Sequence, residues 1–128
     1  MKSLRGQLLV ASPQLPDPNF YRSVVMILDH DEDGAMGLIL NRTCSRTLKD
    51  IWPLISNRPC LSNALIGVGG PVEGPLLALH NNPLLDEFQV LPGVFFSQKR
   101  ESIEQLVTDG KSSIRIFLGY AGWGGGQL

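Results

Sequence analysis

Charge is scarce in this chain: only 18% of its 128 residues are Asp, Glu, Lys or Arg, against about 25% in an ordinary soluble domain. The formal net charge of −1 gives no overall attraction toward nucleic acid or acidic lipid. Basic residues are dispersed and no helix-turn-helix spacing is present, so direct sequence-specific nucleic-acid binding is not expected. Cysteine is nearly absent. Cys44 and Cys60 stand too far apart for a CxxC redox motif and are too few for a disulfide framework. Long hydrophobic runs are missing as well. The stretch from Leu8 to Ala11, behind Lys2 and Arg5, is too short for a signal-peptide core, and no run approaches the roughly 18 residues of a membrane span. These absences make the cytoplasm the expected compartment and give no membrane partner.

Several chemistries fail on residue count or spacing. Asp29, Asp31, Asp33 and Gly34 open like a calcium loop, but Leu40 occupies the position of the closing glutamate. His30, Cys44, Cys60 and His80 contain no close ligand pair of the kind structural zinc sites use. No metal or cofactor is therefore expected. No serine lies in a GxSxG elbow, so nucleophilic catalysis has no motif behind it. The runs Gly67-x-Gly69-x-x-Val72 and Gly122-x-Gly124-x-x-Gln127 both lack the last glycine of a dinucleotide fingerprint, and Gly110-Lys111 lacks the earlier glycine of a Walker loop. Cys44 between Arg42 and Arg46 reads as an ordinary loop thiol. Charge is locally uneven: Asp29, Asp31, Glu32 and Asp33 form an acidic cluster, and Arg42, Arg46, Lys49 and Arg58 outweigh Asp50 in the next stretch. Solvated loops are the simplest reading of both.

What the sequence does contain is a succession of short apolar segments cut by proline and glycine. At 128 residues one domain is expected, large enough to bury roughly two-thirds of the unfolded chain's surface. Strands are expected at Gly6 to Ala11, Ser23 to Leu28 and Ala35 to Leu40, the last two joined as a hairpin by the turn residues His30 to Gly34. Pro13, Pro16 and Pro18 hold 12–19 as an extended loop. Thr47 and Asp50 suggest a capped short helix through Trp52, ended or kinked by Pro53. Residues 56–63 read as loop. Further strands fall near Ala64 to Val68, Leu76 to His80, Phe88 to Val90 and Val94 to Phe96. Ser97 caps a helix from about Gln98 to Asp109, with Ile103, Leu106 and Val107 as its apolar stripe and Gly110 at its end. A last strand, Ile114 to Leu118, leads into GYAGWGGGQL. Strands interrupted by two helices define a mixed α/β (α+β) sheet protein.

The segments GQLLVASPQLPDPNFYRSVVMILDH, GAMGLILNR (Gly34 to Arg42), GGPV (69–72), Leu79-His80 and the terminal GYAGWGGGQL together resemble the YqgE/AlgH family of bacterial proteins, through nearly the whole chain. The resemblance implies a mixed α/β domain whose sheet curls into an irregular pseudo-barrel, in a cytosolic protein. Its AlgH branch carries a transcriptional-regulator label. Two departures stand out. Thr43 replaces the proline common after Asn-Arg, and the chain stops at Leu128 where the family continues with an acidic residue and a helix. A truncated piece or an unusually short member is expected, and the low charge fits either a missing segment or a homo-oligomer contact.

The leading expectation is a non-catalytic binding or regulatory domain acting on an unknown protein or small-molecule partner. A small enzyme using His30 or His80 with Asn41, and a transcriptional regulator, are the alternatives. Asn41, Gly69, Gly70, His80, Tyr120, Trp123 and Gly125 are the candidate binding residues. Glycines beyond a strand end at Leu118 would form a crevice or an anion nest, and Tyr120 and Trp123 would add apolar contacts. GGPV also follows a short strand, so the two glycine segments are expected to meet at one end of the sheet.

Overall fold

The computed structural model of the chain describes residues 2–11, 22–60, 62, 65–85 and 88–128. Its strands are β1 (Leu8–Val10), β2 (Val24–Asp31), β3 (Gly34–Ile39), β4 (Thr43–Thr47), β5 (Leu65–Val68), β6 (Val72–His80), β7 (Gln89–Leu91), β8 (Val94–Ser97) and β9 (Ile114–Gly124). Helix α1 (Leu48–Ile51) follows β4, and α2 (Arg100–Asp109) joins β8 to β9. The expected proline-rich loop at 12–19 falls outside the described residues.

The sheet runs β1-β2-β3-β9-β6-β8-β7, so the last strand in sequence lies at its centre. Strand β6 lines β9 antiparallel from Ile114 to Tyr120. Strand β5 pairs parallel with β9 at Phe117 and Leu118, β3 pairs with it at Ala121 to Gly124, and β4 pairs with β5. The sheet curls as the sequence resemblance implies. Near the two edge strands, the Arg5 guanidinium lies 5.4 Å from the centre of the Phe88 ring. A Cβ on Gly6 would come within 3.1 Å of the Val90 carbonyl oxygen. The two edges thus touch at one place, giving a half-barrel with a seam.

Alternation along the strands sorts the apolar residues into three cores. Leu28, Leu38, Leu77, Leu79, Phe96 and Phe117 fill the first. Ile66, Ala78 and Ile116 face the helices and meet Leu48, Ile51, Trp52, Ile103, Leu106 and Val107. Val25, Ile27 and Ile39 form the third, joined by Leu9 and Trp123. Phe117 and Tyr120 both pack into the first cluster although they stand three positions apart. A regular strand would send them to opposite faces. Gly119, at φ +75°, breaks the extended backbone between them, where β6 and β9 shift register from Leu76–Leu118 to Val72–Tyr120.

Some expectations need correction. Strand β9 runs on to Gly124, so its end is not Leu118. Ser97 is the last residue of β8, and Lys99 takes the N-cap position of α2, with Gly110 closing the helix at φ +63°. Strand β4 was not anticipated. Its residues are mostly exposed and polar, so they carry no apolar alternation. Strand β6 begins at Val72, inside the glycine–proline segment, with a register shift before Leu76. The first strand is shorter than expected because Gly6 sits at φ +83° in a turn. The cap of α1 forms as expected: the Asp50 carboxylate accepts the Thr47 backbone N–H at 3.0 Å. That helix ends at Ile51, and Trp52–Leu54 tightens into a 3₁₀ turn containing Pro53.

Candidate functional site

The glycine segments do meet, but back to back in the middle of β9. Gly69 donates its N–H to Leu118 O and accepts the Ile39 N–H at its carbonyl, both at 2.8 Å. A Cβ on Gly69 would lie 2.3 Å from Gly119 O, and one on Gly70 would lie 2.2 Å from the Tyr120 carbonyl carbon. Both separations are far inside van der Waals contact, so only glycine permits this crossing. One side of the crossing opens into a groove of about 330 Å³ between the start of β6 and the bend of β9. Gly70, Gly74 and Gly119 contribute bare backbone to it, while Val72 and Leu118 flank it, each 38% exposed. Tyr120 packs against Gly74 and pairs with Val72 across the strands.

The remaining candidates lie elsewhere. Trp123 is half-buried over Gly37 and joins the third core. Gly125 sits against the β2–β3 turn, where a Cβ would be 2.6 Å from Glu32 O. Asn41 braces two strands: its Oδ1 accepts the Val24 N–H and its Nδ2 donates to Arg22 O, both at 2.9 Å. The GYAGWG part of the tail is therefore paired strand. Its placement replaces the expected crevice beyond the strand end with a groove beside the strand.

The histidines stand at opposite ends of the sheet. His30 pairs with Ala35, whose neighbour on β9 is Trp123, whereas His80 pairs with Ile114. The nine residue steps from Ile114 to Trp123 correspond to about 30 Å of extended chain. His30 Nδ1 accepts the Leu4 N–H at 3.0 Å and anchors the N-terminal segment. Asp29 and Asp31 direct carboxylate oxygens to the backbone N–H groups of His30, Asp33 and Gly34, so these acids shape the hairpin turn.

His80 is buried beside Ser97, with Nε2 2.9 Å from Oγ. This pair resembles a nucleophile with its base, but the other ring nitrogen decides the matter. Nδ1 accepts the Asn82 backbone N–H at 3.1 Å, so in the neutral ring the proton sits on Nε2. A general base for Ser97 needs Nε2 free to accept. Ser97 is also only 1% exposed, and the stacked Phe95 ring covers His80 at 5.8 Å. The arrangement holds β6 to β8.

Fold and site together describe a curled mixed sheet with a glycine-floored groove and a buried Ser–His pair. The AlgH-like family model matches residues 8–128, and the chain belongs to that family. It is 42% identical to a UPF0301 protein of Myxococcus xanthus, covering all of this chain and 73% of the relative. It is 35% identical to the UPF0301 protein SCO2948 of Streptomyces coelicolor, covering all of this chain and 70% of that one. The solution structure of the AlgH protein from Pseudomonas aeruginosa is similar at a TM-score of 0.77 and 30% identity, over 98% of this chain and 70% of that chain. The crystal structure of DIP2367 from Corynebacterium diphtheriae shares the fold at a TM-score of 0.73 and 23% identity, over 98% of this chain and 69% of that one.

Val72, Glu73, Gly74 and Leu118 line the groove and were not among the residues the sequence singled out. Leu118 reads there as the end of an ordinary apolar strand, and Val72 as the last residue of the GGPV segment that follows a short strand. The unusual density of glycine at 67–74 and 119–126 was the available signal, and it identified the crossing without the flanking side chains.

Proposed function

We propose that the protein is a non-catalytic binding domain with a regulatory role, which engages a partner protein or small molecule at the β6–β9 groove. The observation that carries this reading is the exposed pair Val72 and Leu118 beside a floor of glycine backbone. Apolar side chains at the rim favour burial against a partner, and bare backbone lets that partner approach closely. Gly69, Gly70 and Tyr120 build this surface. Asn41, His80, Trp123 and Gly125 brace the fold around it. Action in the cytoplasm is part of the proposal, supported by two free thiols and by the lack, among the described residues, of any helix long and apolar enough to cross a membrane. Direct sequence-specific DNA contact forms no part of it, and a second copy of the chain is one partner the groove would accept.

A photoreactive amino acid placed at position 72, with a control at the exposed turn residue Gly93, tests the reading in the native host. The expected result is a discrete adduct from position 72 that Leu118→Lys abolishes. Equal labelling from both positions, or an adduct indifferent to Leu118→Lys, would overturn it.

A further inference from the structure

The basic stretch singled out in the sequence finds a use that the groove does not absorb. Lys49 on α1 and Arg58 in the following loop converge on a second cavity, of about 500 Å³. Asn57 and Ser56 share its lining and, among the described residues, no carboxylate does. Asp50, next to Lys49 in sequence, is turned back onto the Thr47 N–H.

The loop that presents Arg58 is built to hold its position. Trp52 is 2% exposed and its indole N–H donates to Arg58 O at 2.7 Å. Ser56 Oγ accepts the Arg58 N–H at 3.1 Å, and the Ile55 and Ser56 N–H groups both reach Trp52 O at 2.9 Å. The Arg58 backbone is thus fixed at both its N–H and its carbonyl, which lowers the ordering cost of binding. Its guanidinium remains available: the side chain is 52% exposed and stands 3.8 Å from Glu104. Glu104 also takes Arg100 at 3.1 Å, so one carboxylate serves two guanidinium groups. Within the lining, Lys49 and Arg58 leave a surplus of two positive charges, and Glu104, outside it, is shared with Arg100.

We propose that this cavity is a binding site for a small phosphomonoester. A phosphate monoester near neutral pH carries close to two negative charges, matching the surplus, and its oxygens accept from the Arg58 fork and the Lys49 ammonium. The cavity exceeds the volume of inorganic phosphate and falls within the roughly 300–1,000 Å³ of small-molecule sites, leaving room for an organic body. Pro53 and Pro59 supply an apolar wall for it. The site is separate from the β6–β9 groove and does not depend on it.

The test is titration of isotopically labelled protein at constant ionic strength, following the Trp52 indole N–H and the backbone amides of Ser56 to Arg58. Inorganic phosphate, a sugar phosphate and a nucleoside monophosphate are the probes, with sulfate and chloride as controls. Saturable shifts are expected for phosphate, with at least one of the esters tighter. Lys49→Gln and Arg58→Gln should each weaken binding about tenfold, as loss of a charge-assisted bond does. Both variants should fold, because the structural bonds of Arg58 come from its backbone. Equal response to chloride or sulfate, shifts unchanged in the double variant, or no saturable shift into the millimolar range would each overturn the proposal.

Discussion

A Cβ on Gly70 would lie 2.2 Å from the backbone of Tyr120, which makes this pair the tightest point of the glycine crossing. Gly70→Ala must separate the chain after β5 from β9, and should destabilise the protein by about 3 kcal/mol or more, at the upper end of overpacking effects. Gly93→Ala is the comparison. That residue has φ +80° but nothing within 4 Å of a new Cβ, so it carries backbone strain alone, about 1–2 kcal/mol. Denaturant unfolding of both variants should show Gly70→Ala as the costlier change. Equal losses would mean the crossing yields easily.

Ser97→Ala should cost about 1–3 kcal/mol, because it leaves the His80 Nε2–H buried without its acceptor. Ser97 should also resist a fluorophosphonate probe in the folded protein. Stoichiometric labelling would contradict both its burial and the assigned tautomer of His80.

Trp123 is half-buried over Gly37 and contributes to the third core. Its replacement by alanine should cost about 2–3 kcal/mol, below the 3–5 of a fully enclosed aromatic. Gly125→Ala should be milder, about 1 kcal/mol, since displacement of the Glu32 carbonyl falls on an exposed turn. Neither change alters the groove, so partner capture at position 72 should survive in both. Loss of capture by folded Trp123→Ala would move the binding surface to the tail.

The Asp50 carboxyl is held below its ordinary value of 3.8, first by the Thr47 backbone N–H, then by the Thr47 hydroxyl, with Arg46 adding to both. A depressed carboxylate contributes stability that is fully present above its unfolded pKa. That contribution is lost as pH falls through the lower folded value. The gap in stability between the unmodified protein and Asp50→Ala should therefore be constant at neutral and mildly acidic pH. It should narrow once pH drops below about 4. A gap that instead widened with acid would show that the cap does not depend on ionised Asp50.

The sequence was most legible where one local signal agreed with the final packing. The β2–β3 hairpin follows from two apolar runs around an acidic turn, and α2 follows from Ile103, Leu106 and Val107 on one stripe. It misled where long-range pairing took over a residue with a plausible local role. Ser97 has the chemistry of a helix cap, yet its hydroxyl lies against His80, 17 residues earlier in the chain. Strand β4 carries no apolar alternation because its pairing with β5 is set by backbone. The continuation of β9 past Leu118 was hidden because Gly119 resets the alternation on which strand recognition depends. For the same reason the groove-flanking residues stayed unseen: Val72 and Leu118 become neighbours of a cavity only once β6 and β9 shift register beside Gly119.

The seam between the edge strands has a mechanical consequence. Arg5 over Phe88 and Gly6 against Val90 hold the curl by surface contact, while the hydrogen-bonded order of the sheet ends at β1 and β7. The half-barrel is therefore fastened like a clasp. Pulling it open leaves all strand pairings intact but parts Val90 from the rest of the first core. A widening of the curl along this line would admit solvent to Leu28, Val90 and Phe96, while the core against the helices lies apart from it.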